Sequence, residues 1–364
     1  MANGSSTRII RPVSRRTILR AAAVLGVAGP QFFVRNGWAA GKSLFVGTYT
    51  GIQGEFVRKQ VIPKFQSDYG CKVFQTENVT LGNIALLRTQ KASPNYSVMM
   101  MDDLGIPIAK AENLIEKLPR GKIQNLEKVF PRFIYNDEFG VAFSISAVAP
   151  WYATSLSKPV ESFADLWSER FRGRYMMVTP KQSQSVQLLA VASSLATGKP
   201  ILEAQYELDK GWTKMAELKP NIQTIYESSS VAVLQVSQGQ ADVAGPDFSK
   251  SVLPYVVKGA PISLSRPKEG SFAGVNCMTL VKGAPEPDLG AAFIDRMLAA
   301  EIQKGLAETT YTAPSVKDIE LIKDVAAIVP YPESRVNELF ILDWEKINPQ
   351  RSAIIEKYNQ VFGS

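Results

Sequence analysis

Short apolar segments alternate with amphipathic ones along this chain, and each apolar segment runs out into a polar loop. Ser43-Leu44-Phe45-Val46-Gly47-Thr48-Tyr49 reads as a strand leading into such a loop. A helix is predicted next, because Val57, Val61 and Phe65 recur every four residues with Arg58, Lys59 and Lys64 between them; Pro63 should bend or restart it. Ser67-Asp68-Tyr69-Gly70 closes that helix, and Lys72-Val73-Phe74-Gln75-Thr76 opens a second strand, completing a βαβ unit. An amphipathic stretch around Ile84-Ala85-Leu86-Leu87 leads to a third strand, Tyr96-Ser97-Val98-Met99-Met100-Met101, which ends on Asp102-Asp103. Such alternation implies a mainly parallel sheet, whose ligand crevice lies beyond the carboxyl ends of its strands. Tyr49, Thr50, Asp102 and Asp103 all fall at such ends.

The alternation resumes later with different loops, as a second lobe would. Ser162-Phe163-Ala164-Asp165 has capping-box spacing at a helix start, and Arg174 to Val178 forms a strand that stops at Thr179-Pro180-Lys181-Gln182-Ser183-Gln184-Ser185, ahead of a helix beginning near Val186. Tyr226-Glu227-Ser228-Ser229-Ser230 precedes another helical run. Gly239 to Ala244 is a turn feeding a strand that ends at Gly245-Pro246-Asp247-Phe248, and one more strand and several helices follow Phe272. No repeat or low-complexity tract interrupts this order.

The formal charge of +7 describes the front of the chain. Residues 1–40 hold six arginines and no acid, so the remainder carries +1 and has no footprint for nucleic acid or an anionic membrane. Within that front, Ser14-Arg15-Arg16-Thr17-Ile18-Leu19-Arg20 resembles the twin-arginine translocation consensus, and Gly37-Trp38-Ala39-Ala40 offers the small side chains a signal peptidase accepts. The apolar run from Ala21 to Val34 is shorter than the ~20 residues a spanning helix needs. An exported, periplasmic chain cleaved after Ala39 or Ala40 is therefore expected. Its two cysteines, Cys71 and Cys277, leave a disulfide open. The chain has no histidine, which excludes Ser-His-Asp, Cys-His and His-metal chemistry. No GxGxxG follows the first strand and no CxxC is present, so neither a cofactor nor an enzymatic role is expected; a carboxylate-based hydrolase is the rival class.

Several pieces carry a family resemblance: Phe163-Ala164-Asp165-Leu166-Trp167 with Phe171-Arg172-Gly173-Arg174, the turn Gln238-Gly239-Gln240-Ala241-Asp242-Val243, Ala291-Ala292-Phe293-Ile294-Asp295-Arg296-Met297-Leu298 leading to Gln303, and Tyr311-Thr312-Ala313-Pro314. In this order they resemble the periplasmic solute-binding proteins of ABC importers, in the group with polyamine and ferric-ion receptors. The resemblance implies an α/β fold of type II with two lobes, two mainly parallel sheets and two hinge crossings, near residues 142–148 and 265–275. It implies lobe 1 from 41–145 plus 272–364, lobe 2 from 146–271, a monomer, a small-molecule ligand held between lobes, and a membrane permease as partner.

Laid over the polyamine receptors, the ligand loops fall at Thr48, Tyr49 and Thr50, at Asp102 and Asp103, at Phe143 and Ser144, and at Lys181, Gln184 and Ser185. They continue at Tyr226 to Ser230, at Asp247 and Phe248, and at Phe272 and Tyr311. Those receptors carry carboxylates in the loop matching Lys181. A lysine there, with Gln184 and Ser185 at a helix N-terminus and Ser228 and Ser229 at another, would attract an anion instead. Asp102, Asp103, Glu227 and Asp247 could receive an amine, and Tyr49, Phe143, Phe248, Phe272 and Tyr311 could supply an apolar wall or a cation–π face. Donors and carboxylates together suit a zwitterion such as an amino acid or ω-amino acid. Linear polyamine and then ferric ion are the alternatives.

Overall fold

The structure is a computed structural model that describes residues 41–363, so the export signal expected over 1–40 lies outside the described residues. Strand β1 (Ser43–Tyr49) pairs in parallel with β2 (Lys72–Asn78) and with β3 (Val98–Asp102). The helical run α1 between β1 and β2 consists of Ile52–Phe56, a π turn Val57–Val61 and Ile62–Tyr69. The π turn places Pro63 near the start of the second α segment, where its missing N–H is tolerated. The expected restart is thus made without breaking the run. Gly70 closes α1 in the left-handed conformation with φ 58°, and α2 (Thr80–Thr89) and α3 (Gly105–Ala111) follow β2 and β3.

Strand β4 (Gly140–Ala153) is the longest element of the sheet. Beyond it come β5 (Tyr175–Val178), α4 (Ser183–Thr197), β6 (Ile222–Tyr226), α5 (Ser229–Ser237), β7 (Val243–Phe248), α6 (Ser249–Val257) and β8 (Phe272–Val281). The main path of the sheet runs β2-β1-β3-β8-β4-β7-β5-β6. Its two ends are parallel, as the alternation predicts, while β8 lies antiparallel to β3 and to β4, and β4 antiparallel to β7. The two expected sheets are therefore continuous through β4. Residues Val141–Val148 of β4 pair with β8, and Val148–Tyr152 pair with β7, so a single strand passes from one half to the other.

Packing divides where β4 crosses. One apolar cluster gathers Leu44, Val46, Phe65, Ile84, Met99 and Phe293 around β1, β3 and β8. A second gathers Phe163, Phe171, Leu189, Met215 and Phe272 beside α4, and a third covers the opposite face with Trp151, Met176, Val233 and Val252. Leu342, Trp344, Ile347, Ile354 and Tyr358 belong to the second cluster, so the C-terminal helix α7 (Arg351–Phe362) packs on the second half rather than the first. Its Tyr358 hydroxyl donates to the Val178 carbonyl at the end of β5, 2.9 Å away.

Local signals placed some ends differently. The Ser162 hydroxyl accepts from the Ala164 N–H at 3.0 Å, but the element it caps is a 3-10 turn, Phe163–Trp167, and not a full helix. Helix α4 begins at Ser183, earlier than Val186, because Lys181 and Gln182 already complete the turn before it. Cys71 and Cys277 are both buried free thiols in the first cluster. No helix among the described residues is long and apolar enough to cross a membrane.

Candidate functional site

The carboxyl ends of β1 and β3 lie side by side because both strands are parallel, and β8 brings a third polar residue to them. Tyr49 donates its hydroxyl to Asp102 Oδ1 at 2.8 Å, and Asn276 Nδ2 donates to the same oxygen at 2.7 Å; Asn276 is the register partner of Asp102. Gln53, in the first turn of α1, donates Nε2 to Ser144 Oγ on β4 at 2.9 Å and to Asn276 Oδ1 at 3.1 Å. Tyr49, Asp102 and Ser144 thereby share one hydrogen-bond network. Burial pushes the Tyr49 hydroxyl well above the usual tyrosine range, and the Asp102 charge reinforces it.

From the second half, α6 extends Lys250 across to this group. Lys250 Nζ lies 2.6 Å from Asn276 Oδ1 and 3.4 Å from Gln53 Oε1, and stands 5.6 Å from the Tyr49 ring centroid and 5.2 Å from that of Phe248. Burial pulls its pKa below the ordinary lysine range, while the charges of Asp102 and Asp247 oppose that shift. Phe248 owes its position to Gly274: a Cβ there would sit 2.3 Å from the ring. Lys250 also lines a cavity of about 350 Å³ at the junction of the halves, with Ile52 on one side and Ser229, Ser230, Ser251 and Lys258 on the other.

Asp247 forms a separate, deeper cluster. Oδ1 accepts from Gln184 Nε2 at 3.2 Å and from the Phe248 N–H at 2.7 Å, Oδ2 accepts from the Tyr226 hydroxyl at 3.1 Å, and Ser229 also hydrogen-bonds the carboxylate. Burial raises the Asp247 pKa, and these donors hold it back. The partners account for a carboxylate's hydrogen-bonding capacity, so Asp247 anchors the second half's loops in this structure.

The remaining residues separate by burial. Lys181 pairs with Glu227 at 2.6 Å on the surface, both side chains about two-thirds exposed or more, so this lysine is partnered away from the cavity. Thr50 is exposed, and Ser228 is exposed with its hydroxyl 2.8 Å from that of Ser230. Thr48, Phe143, Ser185 and Phe272 are corrections to the expected solute contacts, because protein fills their surroundings. Thr48 accepts from Gln75, Ser185 donates back to the Pro180 and Gln182 carbonyls, Phe143 is in the first core, and Phe272 stacks edge-on between Phe163 and Phe340. Asp103 is likewise internal: it accepts from the Leu104 N–H and from Trp344 Nε1, and burial pushes its pKa up to about 8, with the Asp102 charge adding to the rise. Tyr311 ends the helix Ala300–Thr310 in the left-handed conformation and packs against the first core.

Sequence reasoning missed Gln53, Lys250 and Asn276. Each had a faint signal: Gln53 sits in the glycine-bearing loop after β1, Lys250 follows a strand end by two residues, and Asn276 is an isolated amide in the apolar run Val275 to Val281. Among the described residues, no group of three or more Cys, Asp and Glu side chains converges as a metal site would require.

Two halves are linked through a shared strand, and charged and aromatic residues meet at their junction. The chain belongs to the family of bacterial extracellular solute-binding proteins, whose model matches residues 60–332. It is similar in fold to an ABC transporter protein of Clostridium perfringens ATCC 13124, with 17% identity and TM-score 0.74 over 88% of this chain and 100% of that one. A spermidine/putrescine ABC transporter substrate-binding protein, PotD of Streptococcus pneumoniae, is 18% identical with TM-score 0.70, covering 88% and 99%. MotA of A. tumefaciens B6, solved in complex with glucopine, is 19% identical with TM-score 0.71 over the same shares. Comparison with the curated proteins finds no match.

Proposed function

We propose that this chain is the periplasmic solute-binding component of an ABC importer and that it captures a small zwitterionic solute, of the amino acid or ω-amino acid kind, between its halves. The observation that carries this is the mixed charge at the junction: Asp102 faces inward from the first half, and Lys250 from the second reaches Asn276, which hydrogen-bonds Asp102, with the Tyr49 and Phe248 rings close to the ammonium. A solute with one positive and one negative end matches that pair without stranding a buried charge. The solute contacts both halves, so it binds their closed arrangement more tightly and shifts the hinge equilibrium toward it. Closed protein then docks on a membrane permease, and no bond in the solute is made or broken. The packing supports residues 41–145 and 273 to about 339 as one lobe and 146–272 with the C-terminal segment as the other.

A thermal-shift screen tests this, since a solute that binds only the folded protein raises its melting temperature. Amino acids or ω-amino acids such as 4-aminobutyrate should stabilise the protein. Stabilisation by putrescine or spermidine alone would replace the zwitterion with a polyamine, and stabilisation by Fe(III) alone would make the ligand a metal. Turnover of any screened compound would remove the proposal.

A further inference from the structure

The groups around the Lys250 ammonium are aimed by one another and not by the lysine. Asn276 donates its Nδ2 to Asp102, which turns its Oδ1 toward Lys250. Gln53 donates its Nε2 to Ser144 and Asn276, which turns its Oε1 the same way. The Tyr49 ring is pinned by its hydroxyl on Asp102, and the Phe248 ring lies on the bare backbone of Gly274. Two amide oxygens, two aromatic faces within about 6 Å and a carboxylate behind them make a receptor for a primary ammonium. Lys250 enters from the first turn of α6, the end of a helix that disfavours a cation, so its own helix does not hold it there.

We propose that this box is an ammonium subsite and that Lys250 is its built-in occupant, a tethered competitor that a solute's amine displaces. The released lysine then takes the solute's acidic group. Charge is conserved in that exchange. The adjoining cavity holds Ser229, Ser230, Ser251 and Lys258 and no carboxylate, so a displaced Lys250 meets donors and a second cation, and only an anion steadies it. A diamine offers no such group, and an anion without an amine leaves Lys250 in the box. Lys250 is in this way the residue that selects solutes carrying both charges.

The inference rests on the cleft being a solute site, but its test needs no solute. Lys250→Ala empties the box and leaves Asn276, Gln53 and Asp102 in place. Ethylammonium chloride, on the order of 50 mM, should raise the melting temperature of this variant and not of the unaltered protein, with sodium chloride at equal ionic strength as control. Adding Asn276→Leu should abolish the rescue. In the unaltered protein, the ethylammonium concentration that half-saturates the Lys250→Ala variant should raise the rate of acetylation of Lys250 relative to Lys258 by about twofold, because it competes for the box while the tethered lysine keeps its occupancy low. Equal response of variant and unaltered protein, with an unchanged labelling ratio, would overturn the proposal; if the variant does not fold, the labelling ratio decides alone. A solute that stabilises the protein in the screen while rescue fails sinks the stand-in only. Rescue without any stabilising solute sinks the function and keeps the ammonium box.

Discussion

At the scale of single residues, position relative to the junction decides what a charge does. Lys181 and Glu227 make a close ion pair, yet both are well exposed, and such pairs contribute about 0–1 kcal/mol. Lys181→Ala should therefore leave both melting temperature and solute affinity close to those of the unaltered protein, as calorimetry and titration would show; a tenfold loss of affinity would return Lys181 to the site. Gly274→Ala is the opposite case, a single methyl with a large consequence. The new Cβ would lie 2.3 Å from Phe248, so the ring must move and the wall beside Lys250 moves with it. We expect at least about a tenfold loss of affinity for the solute, or about 1.4 kcal/mol, with the fold retained. Asp103 gives a pH signature. Its carboxyl is raised to about 8 in the folded protein from an ordinary value near 4, so the folded state binds a proton that the unfolded state releases. Its favourable contribution is complete below about pH 4 and is lost as pH rises toward about 8. Asp103→Asn cannot titrate and should flatten the decline in melting temperature between those values; an unchanged decline would assign it to other groups.

Among the elements, the C-terminal helix shows how little of a segment's address is written in its own residues. Tyr358 is fully buried against the second half and donates to the Val178 carbonyl. Tyr358→Ala removes a large buried side chain and strands that carbonyl, which should lower unfolding free energy by about 3–5 kcal/mol in urea titration. A loss below about 1 kcal/mol would mean that the helix does not hold the second half. The strands, by contrast, were legible from pattern. β1 and β3 are short runs of apolar residues ending on polar ones, β2 carries only Val73 and Phe74 as its apolar pair, and the parallel pairing of the three follows from the helices between them. Helix α1 was legible as well, because a four-residue spacing of Val57, Val61 and Phe65 keeps one face inward, and the π turn preserves that face up to Pro63.

For the whole molecule, β4 is the decisive strand. It hydrogen-bonds β8 along one stretch and β7 along the next, so each half loses an inner partner if the other unfolds. The halves should consequently unfold together, with far-ultraviolet circular dichroism and tryptophan fluorescence giving coincident transitions in urea. Two separated transitions would mean that each half is stable without the shared strand.

The sequence alone determined the α/β class, the strand ends and the family resemblance, because periodicity, turn residues and segment order are local or sequential properties. It also brought Tyr49, Asp102, Ser144 and Phe248 forward as candidates, since strand ends can be read from where apolar runs stop. Only the tertiary structure decided that Lys250, Gln53 and Asn276 join them, and that Phe272, Asp103 and Ser185 face protein. Those assignments depend on which of several polar residues are carried across the junction between halves, and contacts between residues 53, 250 and 276 arise from chain crossings that no local pattern encodes.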